Sequence, residues 1–291
     1  MAIELRNLVK RYPGGVTALN DITLTIPIGM YGLLGHNGAG KTTLMRILAT
    51  LLRPDAGQVT VFGHDVVREP QAVRRLLGYV PQKVGFYPQL TAAEMLELVA
   101  AYKGVPKDRL RPAIAEALEL VNLHEFRRRP VRAISGGMLR RLAIAQAVLG
   151  DPKVIVVDEP TAGLDPEERL RLRNLLVELS VSRSVLLSTH IVEDIEDTCP
   201  TVSVLRRGSL CFEGSVPDLV RRADGRIWTA RLPVSEYERR KGDLCIISAR
   251  STPEGVGLRL LSPERPLPDA SPAAPTLEDA YFALMRQGAV G

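Results

Sequence analysis

One glycine-rich segment carries the clearest chemical signal in the sequence. Residues 35–43 fit the pattern G-x-x-x-x-G-K-S/T, between a predicted strand and a predicted helix. Glycines let such a loop curl so that backbone N–H groups point at phosphate oxygens, and the helix adds the positive end of its dipole. We expect Lys41 to reach the β- and γ-phosphates and the Thr42 hydroxyl to complete the shell of a Mg²⁺ ion. The residues predicted to bind phosphate are Gly35, Asn37, Gly38, Ala39, Gly40, Lys41, Thr42 and Thr43.

Two carboxylates follow an apolar run at Val154–Val157. Ligands of α/β proteins bind at the carboxyl ends of the strands, so Asp158 and Glu159 should face the same crevice as the glycine-rich loop. Asp158 can hold Mg²⁺ directly or through water. Glu159 can accept a proton from an attacking water or orient it, and a base of this kind contributes roughly 10²–10⁴ in rate.

A second phosphate cap is predicted at Ser135-Gly136-Gly137, because a serine and two glycines at a helix N-terminus leave backbone N–H groups free. The segment Ile134–Met138 resembles the signature of ABC ATPases, and the resemblance covers residues 1 to about 220. In that family this cap serves the γ-phosphate held by the opposite subunit. The resemblance therefore implies that two cassettes sandwich two ATP molecules.

The other motifs of the family are present in the expected order. Gln82 resembles the glutamine of the Q-loop, which touches Mg²⁺ and contacts the membrane partner. Asp165 matches the D-loop, and His190 matches the switch histidine that contacts the γ-phosphate. Tyr12 is placed like the aromatic residue that stacks on adenine. The resemblance thus gives Glu159, His190, Gln82 and Asp165 as catalytic residues, and Thr42, Gln82 and Asp158 as metal ligands.

Each motif also has a plainer interpretation when it is taken alone. The loop could be a glycine-rich turn, and an acidic pair after an apolar strand is common. Gln82 could be an ordinary loop residue, His190 a structural or surface group, and Tyr12 a residue that packs on its turn. The spacing and order of the whole set favour the functional interpretation.

A few positions depart from the family pattern. Ile134 replaces the usual leucine of the signature, and Met138 stands where glutamine is commonest. Met138 is familiar in export-type members. Leu139 and Arg140 differ from the polar pair expected behind the signature. His36 stands where proline is frequent, at a position that uses only its backbone.

The elements that must position these residues indicate an α/β fold. Alternating residues in 1–31 predict antiparallel strands, and β-branched runs at 153–157 and 184–188 predict buried parallel strands with short connections. The prediction is a P-loop NTPase with a mostly parallel sheet, an antiparallel β subdomain and an inserted helical subdomain at about 86–150. We expect an ABC ATPase domain over 1–221 and a small C-terminal α+β accessory domain over 222–291.

Two capping-box sequences predict where helices begin. They are Thr91–Glu94, at the start of the helical subdomain, and Thr276–Asp279, before the last helix of the chain. The segment Leu244–Ser248 is predicted to be a strand of the accessory domain.

The overall composition is that of a globular protein with a mildly basic surface, at a net charge of +5. The one dense basic cluster lacks the interleaved aromatic residues that stack on bases, so no nucleic acid is expected as a partner. That cluster consists of Arg127, Arg128, Arg129 and Arg132. The three widely spaced cysteines suggest reduced thiols. They are Cys199, Cys211 and Cys245.

No signal peptide and no apolar run of roughly 18–20 residues is found in the sequence. We expect a cytoplasmic protein, peripheral on the inner face of the cell membrane through a permease.

The resemblance to exporters of drugs, polysaccharides or lipophilic compounds implies an ATPase subunit that powers export of an unknown substrate. Its expected partners are a separate transmembrane permease subunit and a second ABC cassette, identical or paired. One alternative is a soluble ABC ATPase acting outside transport, although neither a second cassette nor long heptads occur in the chain. Another is a nucleotide-gated scaffold without catalysis, which the presence of Glu159 and His190 disfavours.

Overall fold

The computed structural model describes residues 1–286. The chain divides into two compact units, Met1–Glu213 and the part from Gly214 onward. The domain boundary predicted from the sequence lies later in the chain, between residues 221 and 222. In the structure the helix Val216–Arg221 packs against the helix Leu277–Arg286, and both belong to the second unit.

The strands are numbered in chain order. They are β1 (Ile3–Arg11), β2 (Thr17–Ile26), β3 (Met30–Leu34), β4 (Ala56–Val61), β5 (His64–Asp65), β6 (Leu77–Val80), β7 (Val154–Asp158), β8 (Ser184–Thr189), β9 (Thr201–Arg206), β10 (Ser209–Ser215), β11 (Ile227–Leu232), β12 (Ile246–Thr252), β13 (Gly255–Leu261) and β14 (Ser271–Pro272).

The α-helices are numbered in the same way. They are α1 (Lys41–Leu48), α2 (Pro70–Leu76), α3 (Ala92–Tyr102), α4 (Lys107–Leu120), α5 (Gly136–Val148), α6 (Pro166–Ser180), α7 (Val192–Glu196), α8 (Val216–Arg221), α9 (Val234–Arg240) and α10 (Leu277–Arg286). Two short 3₁₀ helices lie at His124–Phe126 and Val131–Ala133.

The central sheet of the first unit has the strand order β10-β9-β3-β8-β7-β6. Strand β3 pairs in parallel with β8 and β9, and β7 pairs in parallel with β6 and β8. Every residue of β3, β7 and β8 is buried, which explains why their sequences do not alternate. The mostly parallel sheet predicted from the sequence is confirmed.

An antiparallel sheet in the order β2-β1-β4-β5 packs beside the central sheet. Its inward residues, such as Leu5, Leu24 and Val59, share one core cluster with Leu44 and Ile47 of α1. The period of two in the sequence therefore places the apolar face of this sheet against the helix that follows the glycine-rich loop.

Helices α3, α4 and α5 follow β6 and precede β7 in the chain, and they pack against one another. The capping box predicted at Thr91 is present: Glu94 N donates to Thr91 Oγ1 at 3.2 Å, and Thr91 N donates to Glu94 Oε2 at 2.7 Å. Backbone pairing between Thr91 and Pro130 ties the start of α3 to the segment before α5.

The second unit contains a sheet in the order β12-β13-β11-β14. Its apolar face is covered by a small core that includes Leu232, Leu258 and Leu260, against which Tyr237 of α9 packs. Helix α10 begins with the predicted capping box, since Asp279 N donates to Thr276 Oγ1 at 3.3 Å. None of the helices in residues 1–286 combines the length and the apolar character that a membrane span needs.

Strand β6 and helix α5 approach each other closely at Gly78. A Cβ atom at this position would lie 2.3 Å from the Ala147 backbone oxygen. We predict that Gly78→Ala lowers the free energy of unfolding by about 1–3 kcal/mol, because the backbone of α5 must move away. Gly85→Ala is the matched control, since a Cβ there meets nothing within 4 Å. Denaturant unfolding measures both; equal stability of the two variants would contradict this packing account.

Candidate nucleotide site

The glycine-rich loop connects β3 to α1 in a conformation that requires glycine. Gly40 has a φ of 108°, and a Cβ there would lie 2.4 Å from the Ala18 backbone oxygen. Gly38 also has a positive φ, of 81°. Helix α1 begins directly after the loop, at Lys41, so the N–H groups of its first turn lack intrahelical acceptors. The geometry is that of a phosphate cradle.

The Lys41 side chain crosses back over this loop. Its Nζ donates to the Gly35 oxygen at 2.5 Å and to the His36 oxygen at 3.2 Å. It also lies 3.0 Å from Glu159 Oε1, as an ion pair without the angles of a hydrogen bond. Only 5% of the Lys41 side chain is exposed, so the cation is held by the backbone of the cradle and one carboxylate.

Glu159 follows β7 with a φ of 51°, a conformation that costs a non-glycine residue of order 1–3 kcal/mol. Its backbone N donates to the Ser188 oxygen at 2.9 Å, and its Oε2 lies 2.5 Å from His190 Nδ1. The Glu159 side chain is buried, whereas 38% of the His190 side chain is exposed. The structure therefore joins Lys41, Glu159 and His190 in one chain of contacts.

Asp158, the last residue of β7, is fully buried. Its Oδ1 accepts a hydrogen bond from Ser188 Oγ at 2.6 Å, whereas within residues 1–286 its Oδ2 has no hydrogen-bond partner. Burial, together with the negative charge of Asp158, raises the pKa of Tyr79 to about 12. A buried carboxylate oxygen without a partner fits a hard cation such as Mg²⁺.

The structure shows no group of three or more His, Cys, Asp or Glu residues in the described chain that could hold a metal by itself. Mg²⁺ is usually bound through one or two carboxylates and the phosphates of the substrate. Asp158, Thr42 and Gln82 remain the predicted protein ligands of such an ion.

The predicted second cap lies at the start of α5. Ser135 Oγ accepts from Met138 N at 3.3 Å, and both Ser135 and Gly136 are exposed. Gly137 is buried against the carboxylate of Glu168 on α6. Within residues 1–286 no hydrogen bond or ion pair joins Ser135 to Lys41, so the structure does not bring the two caps together in one chain.

The other predicted site residues, Tyr12, Asp165 and Gln82, lie outside the chain of contacts from Lys41 to His190. Tyr12 lies beside the loop, with its hydroxyl 3.3 Å from Thr43 Oγ1. Asp165 is exposed and caps α6, where its Oδ1 accepts from Glu168 N at 2.9 Å. The Gln82 side chain is exposed, and its backbone oxygen accepts from Arg140 Nη1 at 2.6 Å.

Sequence reasoning missed three residues that support this site. Ser188 orients Asp158, Arg140 holds the backbone of Gln82, and Asp194 joins several of the loops. Of these three residues, only Arg140 stood out in the sequence, as a departure from the residue expected behind the signature.

The comparisons with known proteins identify the family. The sequence profile described as "ABC transporter" matches residues 19–162. The daunorubicin/doxorubicin resistance ATP-binding protein DrrA of Streptomyces peucetius is 37% identical over 233 residues, which cover 79% of this chain and 70% of DrrA. The probable multidrug ABC transporter ATP-binding protein YbhF of Escherichia coli is also 37% identical, over 79% of this chain and 40% of YbhF.

A solved structure supports the same assignment. It is the dimeric post-hydrolysis state of the ATP-binding cassette MJ0796 bound to ADP and Pi, which matches with a TM-score of 0.67 and 27% identity. The match covers 73% of this chain and 98% of that one. The chain belongs to the family of ABC transporter ATP-binding proteins, and the predicted P-loop fold is confirmed. It spans less than half the length of YbhF.

Proposed function

We propose that the chain binds ATP with Mg²⁺ and hydrolyses it as the motor subunit of an exporter. The observation that carries the proposal is the chain of contacts from Lys41 through Glu159 to His190 at the ends of adjacent parallel strands. A cation, a buried carboxylate and an imidazole so arranged suit the stabilisation of a γ-phosphate and the orientation of an attacking water.

Each residue has a distinct role in this proposal. The loop N–H groups and Lys41 bind the phosphates, and Tyr12 packs on the adenine. Glu159 orients the attacking water and receives its proton. His190 contacts the γ-phosphate and orients Glu159 through their 2.5 Å contact.

Mg²⁺, when bound, neutralises charge on the phosphate oxygens. Thr42, Asp158 and Gln82 would hold the ion. The Ser188 hydroxyl fixes one oxygen of Asp158 and leaves the other for the metal.

We infer that a second cassette completes the site. The cap at Ser135 is exposed, and it has no bond to Lys41 of its own chain. A γ-phosphate held by another cassette would satisfy its free N–H groups. Closure on ATP and reopening after hydrolysis follow, because ATP is then bonded by both cassettes and ADP is not. The partner can be an identical copy or a paralogue, and Asp165 would lie near the contact.

We further propose that a separate membrane permease docks in a groove of about 850 Å³ beside α2 and α3. Apolar side chains such as Val99 and Tyr102 line it. Its charged residues are the cations Arg74, Arg75 and Lys103. Burial lowers the pKa of Lys103 to about 8, and its Nζ donates to two carbonyls at the end of α5. An amphipathic permease segment with acidic residues would fit.

Docking at this groove would place the chain at the inner face of the membrane. The name of DrrA, which refers to daunorubicin and doxorubicin resistance, supports a drug as the class of substrate. The groove lies next to β6, which leads directly into Gln82, and against the end of α5, which begins at the second cap. The permease could therefore sense both nucleotide-contacting segments.

Glu159→Gln is predicted to reduce ATP turnover by roughly 10²–10⁴ and to leave ATP binding intact, because it removes the proton acceptor but not the cradle. With ATP and Mg²⁺ the variant should accumulate as a dimer in size-exclusion chromatography. Glu178→Gln changes an exposed carboxylate on α6 and is the control. Turnover near that of the wild type would remove Glu159 from the catalytic role.

Ser135→Arg is predicted to reduce hydrolysis by about a hundredfold or more, since it fills the exposed cap that stabilises phosphate charge. ATP binding to the monomer should be unchanged, as measured by titration with a fluorescent ATP analogue. Ser251→Arg places the same side chain on an exposed strand of the second unit as a control. Unchanged hydrolysis in Ser135→Arg would contradict the shared site.

Tyr102→Glu is predicted to prevent co-purification with the cognate permease, because its negative charge would lose water on docking and would repel the acidic residues of the permease segment. Tyr102 is 85% exposed, so the isolated cassette should hydrolyse ATP as before. Val181→Glu, at a position 86% exposed outside the groove, is the matched control. Retention of the permease by Tyr102→Glu would rule out this groove as the docking site.

A further inference from the structure

Asp194 is a fully buried carboxylate on α7 that the proposed chemistry does not use. It accepts hydrogen bonds from side chains of three different segments. Thr161 Oγ1 donates to its Oδ2 at 2.5 Å, and Thr189 Oγ1 donates to the same oxygen at 3.1 Å. Arg169 Nε donates to its Oδ1 at 2.8 Å. Both carboxylate oxygens are therefore engaged.

The three donors belong to the segments that carry the proposed catalytic groups. Thr161 lies two residues after Glu159, and Thr189 immediately precedes His190. Arg169 lies on the first turn of α6, where its backbone N donates to the Asp165 oxygen at 2.9 Å. A single carboxylate thus links the loop after β7, the loop after β8 and the start of α6.

These bonds are of the strong kind, because the acceptor is charged and excluded from water. Charge-assisted hydrogen bonds are shorter and roughly twice as strong as neutral ones. A buried carboxylate also strongly disfavours any arrangement in which it loses its cationic partner. Arg169 supplies that partner, and Arg173 Nη1 lies 3.9 Å away on the next turn of α6. The three segments should consequently move together.

We propose that Asp194 is a positioning residue for ATP hydrolysis, which fixes Glu159, His190 and Asp165 relative to one another. It touches none of the reacting atoms and acts through Thr161, Thr189 and Arg169. In this way Asp194 maintains the 2.5 Å contact between His190 Nδ1 and Glu159 Oε2. This inference rests on the proposed ATPase function and extends it to a residue outside the site.

Two variants test the inference in the full-length protein with ATP and Mg²⁺. Asp194→Asn keeps the shape of the side chain but removes its charge and turns one acceptor into a donor. Thr161→Val removes a single hydroxyl donor at nearly constant volume, which leaves the fold intact if Asp194→Asn fails to fold. We expect kcat to fall about tenfold or more, as for other outer residues that orient catalytic groups.

Separate measurement of kcat and KM distinguishes a positioning role of Asp194 from a purely structural role. The KM for ATP should stay within about twofold of the wild type, because the loop and Lys41 keep their contacts. The double variant should lose less than the product of the two single losses, since both act through one bond. Asp197→Asn is the control: it removes a half-exposed partner of Arg173 just after α7, and we expect no change in kcat.

The outcomes are distinct. A fall in kcat at constant KM in Thr161→Val and in folded Asp194→Asn supports the inference. Wild-type kcat in Thr161→Val overturns it, and so does a parallel loss of ATP affinity and thermal stability, which would indicate a purely structural role. If the wild type itself does not hydrolyse ATP, the proposed function fails and the inference with it. If Glu159→Gln reduces hydrolysis but Thr161→Val does not, the inference about Asp194 fails while the proposed function stands.

Discussion

The whole site depends on the contact between the Lys41 ammonium and the Glu159 carboxylate, 3.0 Å apart in a nearly closed environment. Lys41 begins the helix after β3, and Glu159 follows β7, so the contact requires that both strands end at the same level. Strand β8 lies between them and sets that level through the pairs Leu34–Thr189 and Asp158–Ser188. The Gly35 N–H bond to the Thr189 oxygen continues the register into the loop. The parallel sheet thus brings the glycine-rich loop, Glu159 and His190, which are far apart in the sequence, together in one site.

The two predicted phosphate caps of the chain differ in exposure, and this difference supports the proposed second cassette. The cap at Lys41 is enclosed and contains the Lys41 ammonium. At the second cap, Ser135 is exposed, and its hydroxyl accepts a hydrogen bond from Met138 N of α5. In the proposed function, a nucleotide bound at the first cap would leave one face of its γ-phosphate for a second cassette. In the proposed cycle this shared phosphate is the differential interaction that favours the closed dimer, and its hydrolysis removes the interaction.

The sequence predicted the parts of the structure that depend on local pattern. The loop from Gly35, the buried strand before Asp158 and the capping boxes at Thr91 and Thr276 need only short-range spacing. Contacts between residues far apart in sequence were not predictable: Ser188 reaches Asp158 across 30 positions, and Thr161 reaches Asp194 across 33. Strand β12 extends to Thr252, beyond the predicted end at residue 248, because it pairs with β13 through polar residues that carry no hydrophobic alternation.

The most direct measurement of the central claim is an ATP-dependent disulfide between two chains. Asn37→Cys and Ser135→Cys would be combined in a protein whose Cys211 and Cys245 are replaced by serine, with Cys199 left buried. A disulfide forms only when the Cα atoms come within about 7 Å. The account predicts an intermolecular cross-link with ATP and Glu159→Gln, and little without nucleotide. A cross-link that is absent, or that forms equally without ATP, would contradict a nucleotide shared by two cassettes.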